Sequence, residues 1–312
     1  MAITARGAQV VGAVLAAVVV SGLGGCTSAP VSGTLSSPFA SSSPWRQVIP
    51  ADASVDPDSA VMIAAVQPRP GLFANLVEFG IPIYGADKYT PTHEVSCIEV
   101  NYGVCPFAGW PVAIPDDAKP NSGSDGALVT VDESSGVVFE FWRAAKKGET
   151  WSTAFAAVNS LHGSGWGGAA TGSGASRLAG VVRIAEIAKG EIPHALALQS
   201  DNACTTFRPP ALKSDGHSTR DDCIPEGALL QLDPSLDLNA LNLTPGERAV
   251  ATAMQRYGGY LMDVAATPLS VSFELDRDAA PGTVGKTYAD AGFRWDYDAM
   301  EHVPWDKLRV LK

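Results

Sequence analysis

No apolar run in this chain reaches the ~20 residues needed to cross a bilayer. The run Val10–Val20 is too short, and no stop-transfer charges follow it. Motifs for several chemistries are missing too. There is no Gly-x-Ser-x-Gly elbow, no P-loop, no His-Glu-x-x-His and no dinucleotide fingerprint after a strand, so serine-triad, nucleotide and zinc-protease chemistry lack local support. The Glu-x-Asp-x-x-Glu strand of laminarinase-type sandwich hydrolases begins at Glu274-Leu275-Asp276 and fails at Ala279. No Cys-x-x-Cys or His-x-x-x-His spacing suggests zinc. Positive charge is in deficit, 22 Lys and Arg against 33 Asp and Glu, for a net charge of −11. Such a surface repels phosphate backbones and anionic headgroups, which argues against nucleic acid; neutral glycans or basic proteins remain compatible.

What is present starts with a leader. Residues 1–25 combine a basic residue, Arg6, an apolar run and Leu23-Gly24-Gly25 before Cys26. This is a signal peptide whose ending resembles the lipobox of bacterial lipoproteins, and the resemblance implies cleavage before Cys26 and lipid on its sulfur and amino group. The product would sit on the outer face of the cytoplasmic membrane. Residues 26–44, rich in Ser, Pro and Thr, read as a flexible tether. Residues 45–312 read as one domain. With Cys26 lipidated, four of the five cysteines remain. Short loops close most easily, so Cys97–Cys105 and Cys204–Cys223 are the natural pairs, although four cysteines allow three connectivities.

The coarse pattern is strand and turn. Segments 59–66, 93–100, 126–132, 136–144, 192–200, 227–233, 258–265 and 269–276 read as strands, punctuated by 31 Gly and 22 Pro. The expected fold is all-β, an antiparallel β-sandwich of jelly-roll or concanavalin-like type with a few short helices. The clearest helix starts at Thr244 as N-cap, with Pro245 at N1 and Glu247 completing a capping box, and stops at Gly258-Gly259. Residues 183–190 form a shorter candidate. At the C-terminus, Trp305, Leu308 and Leu311 could share one face of a last short helix.

Candidate site residues come from polar groups in apolar company. Alternation on 136–144 puts Val138, Glu140 and Trp142 on one face. A carboxylate beside an aromatic plane suits a sugar, whose C–H face stacks while its hydroxyls donate to the acid; a solvated outer face is the plain alternative. His194 extends the apolar row Ile192, Leu196, Leu198, either as a core histidine or as an acid/base partner of Glu140. Glu186, Glu191, Asp263 and Asp125 are further acids with structural explanations of their own. The stretch 162–180 carries almost no side chains besides His162, Trp166 and Arg177. It is either disordered or a loop approaching a ligand, with Trp166 as a stacking platform.

The segments VAIPDDAKPNSGSDGALVTVDESSGVVFEFWRA, GVVRIAEIAKGEIPHALAL and IPEGALLQLDPSLDLNALNLTPGERAVATAMQRYGGYLMDVA together resemble a set of secreted actinobacterial proteins. The match spans about residues 110–266. It implies a β-sandwich of jelly-roll or lectin/glucanase-like type with a carbohydrate-facing role. It also points to Asp125, Glu140, Trp142, Glu186, His194 and Asp263. Where that set often has a histidine after Asp-Gly, this chain has Ala127, a departure that favours binding over cleavage. The combined expectation is a monomeric, membrane-anchored lipoprotein that binds or acts on a polysaccharide, as a glycoside hydrolase or lyase if it is an enzyme. Glu140 and His194 would be catalytic, and Trp142, Asp125, Glu186, Asp263 and Trp166 would contact substrate. The alternative is a structural or partner-binding envelope lipoprotein. No cofactor is indicated, though a calcium site of carbonyls and scattered aspartates would leave no motif.

Overall fold

The computed structural model describes residues 38–67, 71–168 and 170–312, besides the isolated residue 2. The expected signal peptide, Cys26 and tether residues 26–37 therefore lie outside the described residues. Residues 38–44, expected in the tether, are packed: Phe39 and Ser43 are buried, and the Phe39 N–H donates to Leu161 O at 2.6 Å.

Strands dominate, gathered into several mixed and antiparallel sheets with few short helices. The ten strands of the two largest sheets are numbered here in chain order. They are β1 (Phe73–Asn75), β2 (Ile83–Ala86), β3 (Leu128–Asp132), β4 (Val137–Trp142) and β5 (Phe155–Ser160), then β6 (Leu196–Ser200), β7 (Leu229–Leu232), β8 (Gly259–Val264), β9 (Ser270–Ser272) and β10 (Leu308–Val310). The six-stranded sheet has the order β1-β9-β6-β8-β7-β10 and the four-stranded sheet β5-β4-β3-β2. The expected hairpin over 126–144 is present as antiparallel β3 and β4. A purely antiparallel arrangement is not: β1–β9, β6–β8 and β2–β3 pair in parallel. Long connections make this possible, since parallel neighbours need a crossover of a dozen or more residues. The residues between Ser200 and Gly259, which join β6 to β8, supply one.

The segment 59–66 is helix α1 (Ser59–Val66), not a strand. Its buried residues Ser59, Met62, Ile63 and Val66 follow i, i+3, i+4, i+7 spacing. Apolar residues on every side hid that period, and Ala and Met favour the helix. Helices α2 (Ile184–Lys189) and α3 (Pro245–Arg256) form as expected, α3 with the Thr244–Glu247 capping box and α2 ending at left-handed Gly190. The C-terminal helix shrinks to a 3-10 turn at Trp305–Lys307 before β10, where alternating burial of Leu308 and Val310 suits pairing with β7.

Three apolar layers organise the fold. One lies between the six-stranded sheet and α1 and α3, and holds Leu196, Leu198, Leu261 and Val271. A second collects inward residues of both large sheets, Val129 and Val138 from one, Ala197, Tyr260 and Met262 from the other. A third covers the outer face of the four-stranded sheet, around Phe139, Phe141 and Trp151. The two large sheets thus share one core.

Cys97–Cys105 and Cys204–Cys223 are both disulfides, the short-loop pairing. They place the folded chain in an oxidising environment. No helix among the described residues is long and apolar enough to cross a membrane.

Candidate functional site

Alternation along β4 turns Val138 and Glu140 toward the shared core and Phe139 and Phe141 outward. Glu140 lies between Val129 and Ala157 on the neighbouring strands and is fully buried. It is therefore neither on a solvated face nor in an open cleft. One carboxylate oxygen accepts a short hydrogen bond from Ser176 Oγ, and the other accepts the Arg177 N–H at 2.9 Å. Burial pushes the Glu140 carboxyl above its usual range, while those two donors pull it back. The carboxylate pins the glycine-rich segment to the sheet.

That segment packs into the fold as a plug. Ala170–Val182 is buried throughout. The Ala197 N–H donates to Gly180 O at 2.9 Å, and a Cβ on left-handed Gly180 would collide with that strand. Trp166 stacks on buried Trp45 at 5.2 Å and meets Tyr260 edge-on at 5.6 Å, so its ring is used internally. Trp45→Ala should remove the keystone of this stack and cost about 3–5 kcal/mol, read as a lower urea midpoint; an unchanged midpoint would refute the plug.

His194 and Glu140 share no hydrogen bond or ion pair among the described residues. His194 Nε2 lies 3.1–3.2 Å from the two Glu186 oxygens, and Nδ1 lies 2.8 Å from Ala195 O. Burial opposes the imidazolium, but Glu186 outweighs it and raises the His194 pKa. Glu186 also accepts the Arg183 N–H at 2.8 Å, so the pair braces the start of α2. The ring of half-buried Trp142 lies beneath the Arg143 guanidinium, 4.5 Å from its centroid, beside exposed Tyr102.

The largest change from expectation is a groove of about 660 Å³ that contains Asp125 and Asp263. It opens where the inner face of the six-stranded sheet turns from apolar to polar. Ala197, Tyr260 and Met262 belong to the shared core, whereas Asn75, Gln199, Ser270 and Ser272 line the groove. These four form one network. Asn75 Nδ2 donates to Gln199 Oε1 and Ser270 Oγ, both at 3.3 Å, and Gln199 Nε2 donates to Ser272 Oγ at 2.9 Å. Phe73, Phe79 and Tyr297 add aromatic surface.

Asp125, Arg177 and Asp263 line the groove as well. The Asp125 turn is held by Arg143 N–H to Asp125 O at 2.6 Å and Ala144 N–H to Gly126 O at 2.9 Å. Gly126 is left-handed, and Arg143 crosses so closely over it that a Cβ would lie only 3.0 Å from the Arg143 Cα. Arg177 Nη1 reaches Asp125 Oδ2 at 3.5 Å and Nη2 donates to Ala170 O at 2.5 Å. Glu140, Arg177 and Asp125 thereby form a chain from core to groove.

Behind Asp263 stand two more acids, Asp215 and Glu226. Asp263 Oδ1 accepts the Gly172 N–H at 3.2 Å, and Asp215 packs so closely over Gly172 that no Cβ fits. The second disulfide places this pair: Asp215 lies inside the loop it closes, and Ser214 Oγ donates to Cys204 O at 2.8 Å. Glu226 is fully buried, and among the described residues no donor reaches either of its oxygens. Its acidic neighbour is Asp215. Burial first, then Asp215, pushes the Glu226 carboxyl up to about 9. Burial and the Asp215 charge likewise hold Asp263 well above the usual carboxylate range. Among the described residues no group of three or more His, Cys, Asp or Glu is arranged to hold a metal ion.

Of the expected site residues, Asp125 and Asp263 meet at the groove. Glu140 touches it only through Arg177; His194 and Glu186 form a separate pair, and Trp142 and Trp166 make other contacts. The groove residues Asn75, Gln199, Ser270 and Ser272 were missed, as were Asp215 and Glu226 behind Asp263. Two signals pointed to some of them: the tripeptide Ser-Asp-Gly recurs at 124–126 and 214–216, and Ser270 and Ser272 alternate with apolar residues on one strand.

Compared with protein-family models, curated proteins and solved structures, the chain matches none.

Proposed function

We propose that this chain is an extracytoplasmic, lipid-anchored protein that binds a neutral polysaccharide in the groove beside Asp125 and Asp263. One observation carries the reading: a groove with uncharged hydrogen-bonding groups on its sheet and aromatic side chains around it. Its volume lies within the ~300–1,000 Å³ of ordinary ligand sites. Asn, Gln and Ser side chains donate to and accept from hydroxyls, and aromatic faces take the C–H face of a sugar. Anchoring through Cys26 is part of the proposal, motivated by the lipobox-like ending. So is the jelly-roll or lectin/glucanase-like comparison, supported by the core that the two large sheets share.

Affinity electrophoresis of the full chain, in a non-glycosidic detergent, through gels containing laminarin, xylan, galactomannan or arabinogalactan tests it. At least one polymer should retard the wild type, and Gln199→Ala should weaken that retardation about tenfold, the loss of about one hydrogen-bond set. Equal retardation of both proteins would remove the groove from the account.

A second reading has its own observation. The loop closed by Cys97–Cys105 exposes Ile98, Val100, Tyr102 and Val104, the last 86% exposed. Such a rigid apolar projection suits a protein partner, and this reading gains if no polymer binds.

A further inference from the structure

The groove holds two carboxyl groups in unlike surroundings. Asp125 pairs with Arg177 and its side chain is 40% exposed. Asp263 is half-buried on the groove wall and meets Asp215 at Gly172. Asp263 accepts the Gly172 N–H at 3.2 Å and Asp215 packs over the same glycine, so two acids crowd one spot, and burial with the Asp215 charge holds the Asp263 carboxyl above the usual range. An acid kept protonated beside an ion-paired carboxylate is the arrangement that divides acid and base roles between two like side chains.

We propose that Asp263 is the proton donor and Asp125 the base of a glycosidic-bond hydrolysis in this groove; the inference rests on the polysaccharide reading above. Asp263 gives its carboxyl proton to the bridging oxygen as the bond from that oxygen to the anomeric carbon breaks. The bonding pair stays on the oxygen, which leaves as an alcohol. Water supplies the new oxygen on the anomeric carbon, and its released proton passes to Asp125. Proton return from Asp125 to Asp263 through solvent restores the starting state, so polysaccharide and water are the only reactants. Asp215 touches no substrate: it is a positioning residue, whose charge keeps the Asp263 proton in place. The hydrolysis class is that of neutral acetals, since the sheet face of the groove offers uncharged groups to the flanking sugars.

The test follows reducing ends released from laminarin, xylan, galactomannan and arabinogalactan by the full chain, with binding measured in parallel. Wild type should cleave a polymer it binds. Asp263→Asn should keep that binding and a native circular dichroism spectrum while cleaving about 10²–10⁴-fold more slowly. Asp215→Asn should move the basic limb of the pH–rate profile to lower pH by about one unit, a shift that a purely structural role would not produce. Binding without any reducing ends from wild type, or an undiminished rate in Asp263→Asn, would overturn the inference and leave the binding reading intact. Failure to bind any of the four polymers would overturn both.

Discussion

Raising the pH from about 5 to about 9 should destabilise this fold steadily, and Glu226→Gln should abolish much of that slope. The cause is the Glu226 carboxyl, which burial and the Asp215 charge hold protonated in the fold. The folded Glu226 carboxyl releases its proton near 9, driven first by burial and then by the Asp215 charge, whereas the unfolded carboxyl releases it near its ordinary value of 4.5. Between those values the native state binds a proton that the unfolded chain has lost, so stability falls as pH rises. The slope is about 1.4 kcal/mol per pH unit for each proton so held. It is fully favourable below the unfolded value and exhausted above the folded one. Asp263 acts in the same direction, because its carboxyl is also raised by burial and by Asp215. A glutamine at 226 has no proton to lose between about pH 5 and about pH 9. The variant should therefore melt higher than wild type at pH 9 and nearly equally at pH 5, as read by thermal denaturation. Parallel pH profiles for the two proteins would show that no proton is held there.

Glu140→Ala should be the most destabilising single substitution near the site, costing about 3–5 kcal/mol, because two buried donors then lose their only charged acceptor. Those donors are Ser176 Oγ–H and the Arg177 N–H. Glu140→Gln keeps one acceptor oxygen but turns an NH₂ toward the other donor, so it should cost a smaller amount, about 2 kcal/mol. Both variants should loosen the plug, which hydrogen exchange over 170–182 would report as lost protection. They should also weaken ligand binding indirectly, since Arg177 links Glu140 to Asp125. If Glu140→Gln kept native stability and native exchange but lost only ligand binding, Glu140 would be a groove residue after all.

The contrast between Glu140 and Asp263 shows what the sequence could reveal. Alternation on β4 correctly assigned Glu140 to the face of Val138, but a face does not say what lies against it. The plug that covers Glu140 comes from residues 170–182, whose small side chains read equally well as disorder or as a ligand loop. Their role became visible only once Trp45, and Phe39 from the segment expected to be tether, closed over them. Asp263, polar among apolar residues, was legible as unusual. Its partners Asp215 and Glu226 were not, because they reach it through a disulfide loop and a parallel crossover that no local pattern encodes. Hairpins, caps and short-loop disulfides depend on neighbours in the chain and were read correctly. Helix α1 was missed because its apolar residues surround the helix and hide the period.

The most direct test of the central claim maps where a polysaccharide sits on the wild-type protein. Hydrogen–deuterium exchange of the full chain, with and without the polymer that retards it in gels, needs no substitution and compares every surface at once. The groove account predicts slower exchange in 73–81 and 262–272, which carry Asn75, Phe79, Asp263 and Ser270, with 97–105 unchanged. Protection confined to the 97–105 loop and the neighbouring Trp142 surface would contradict it.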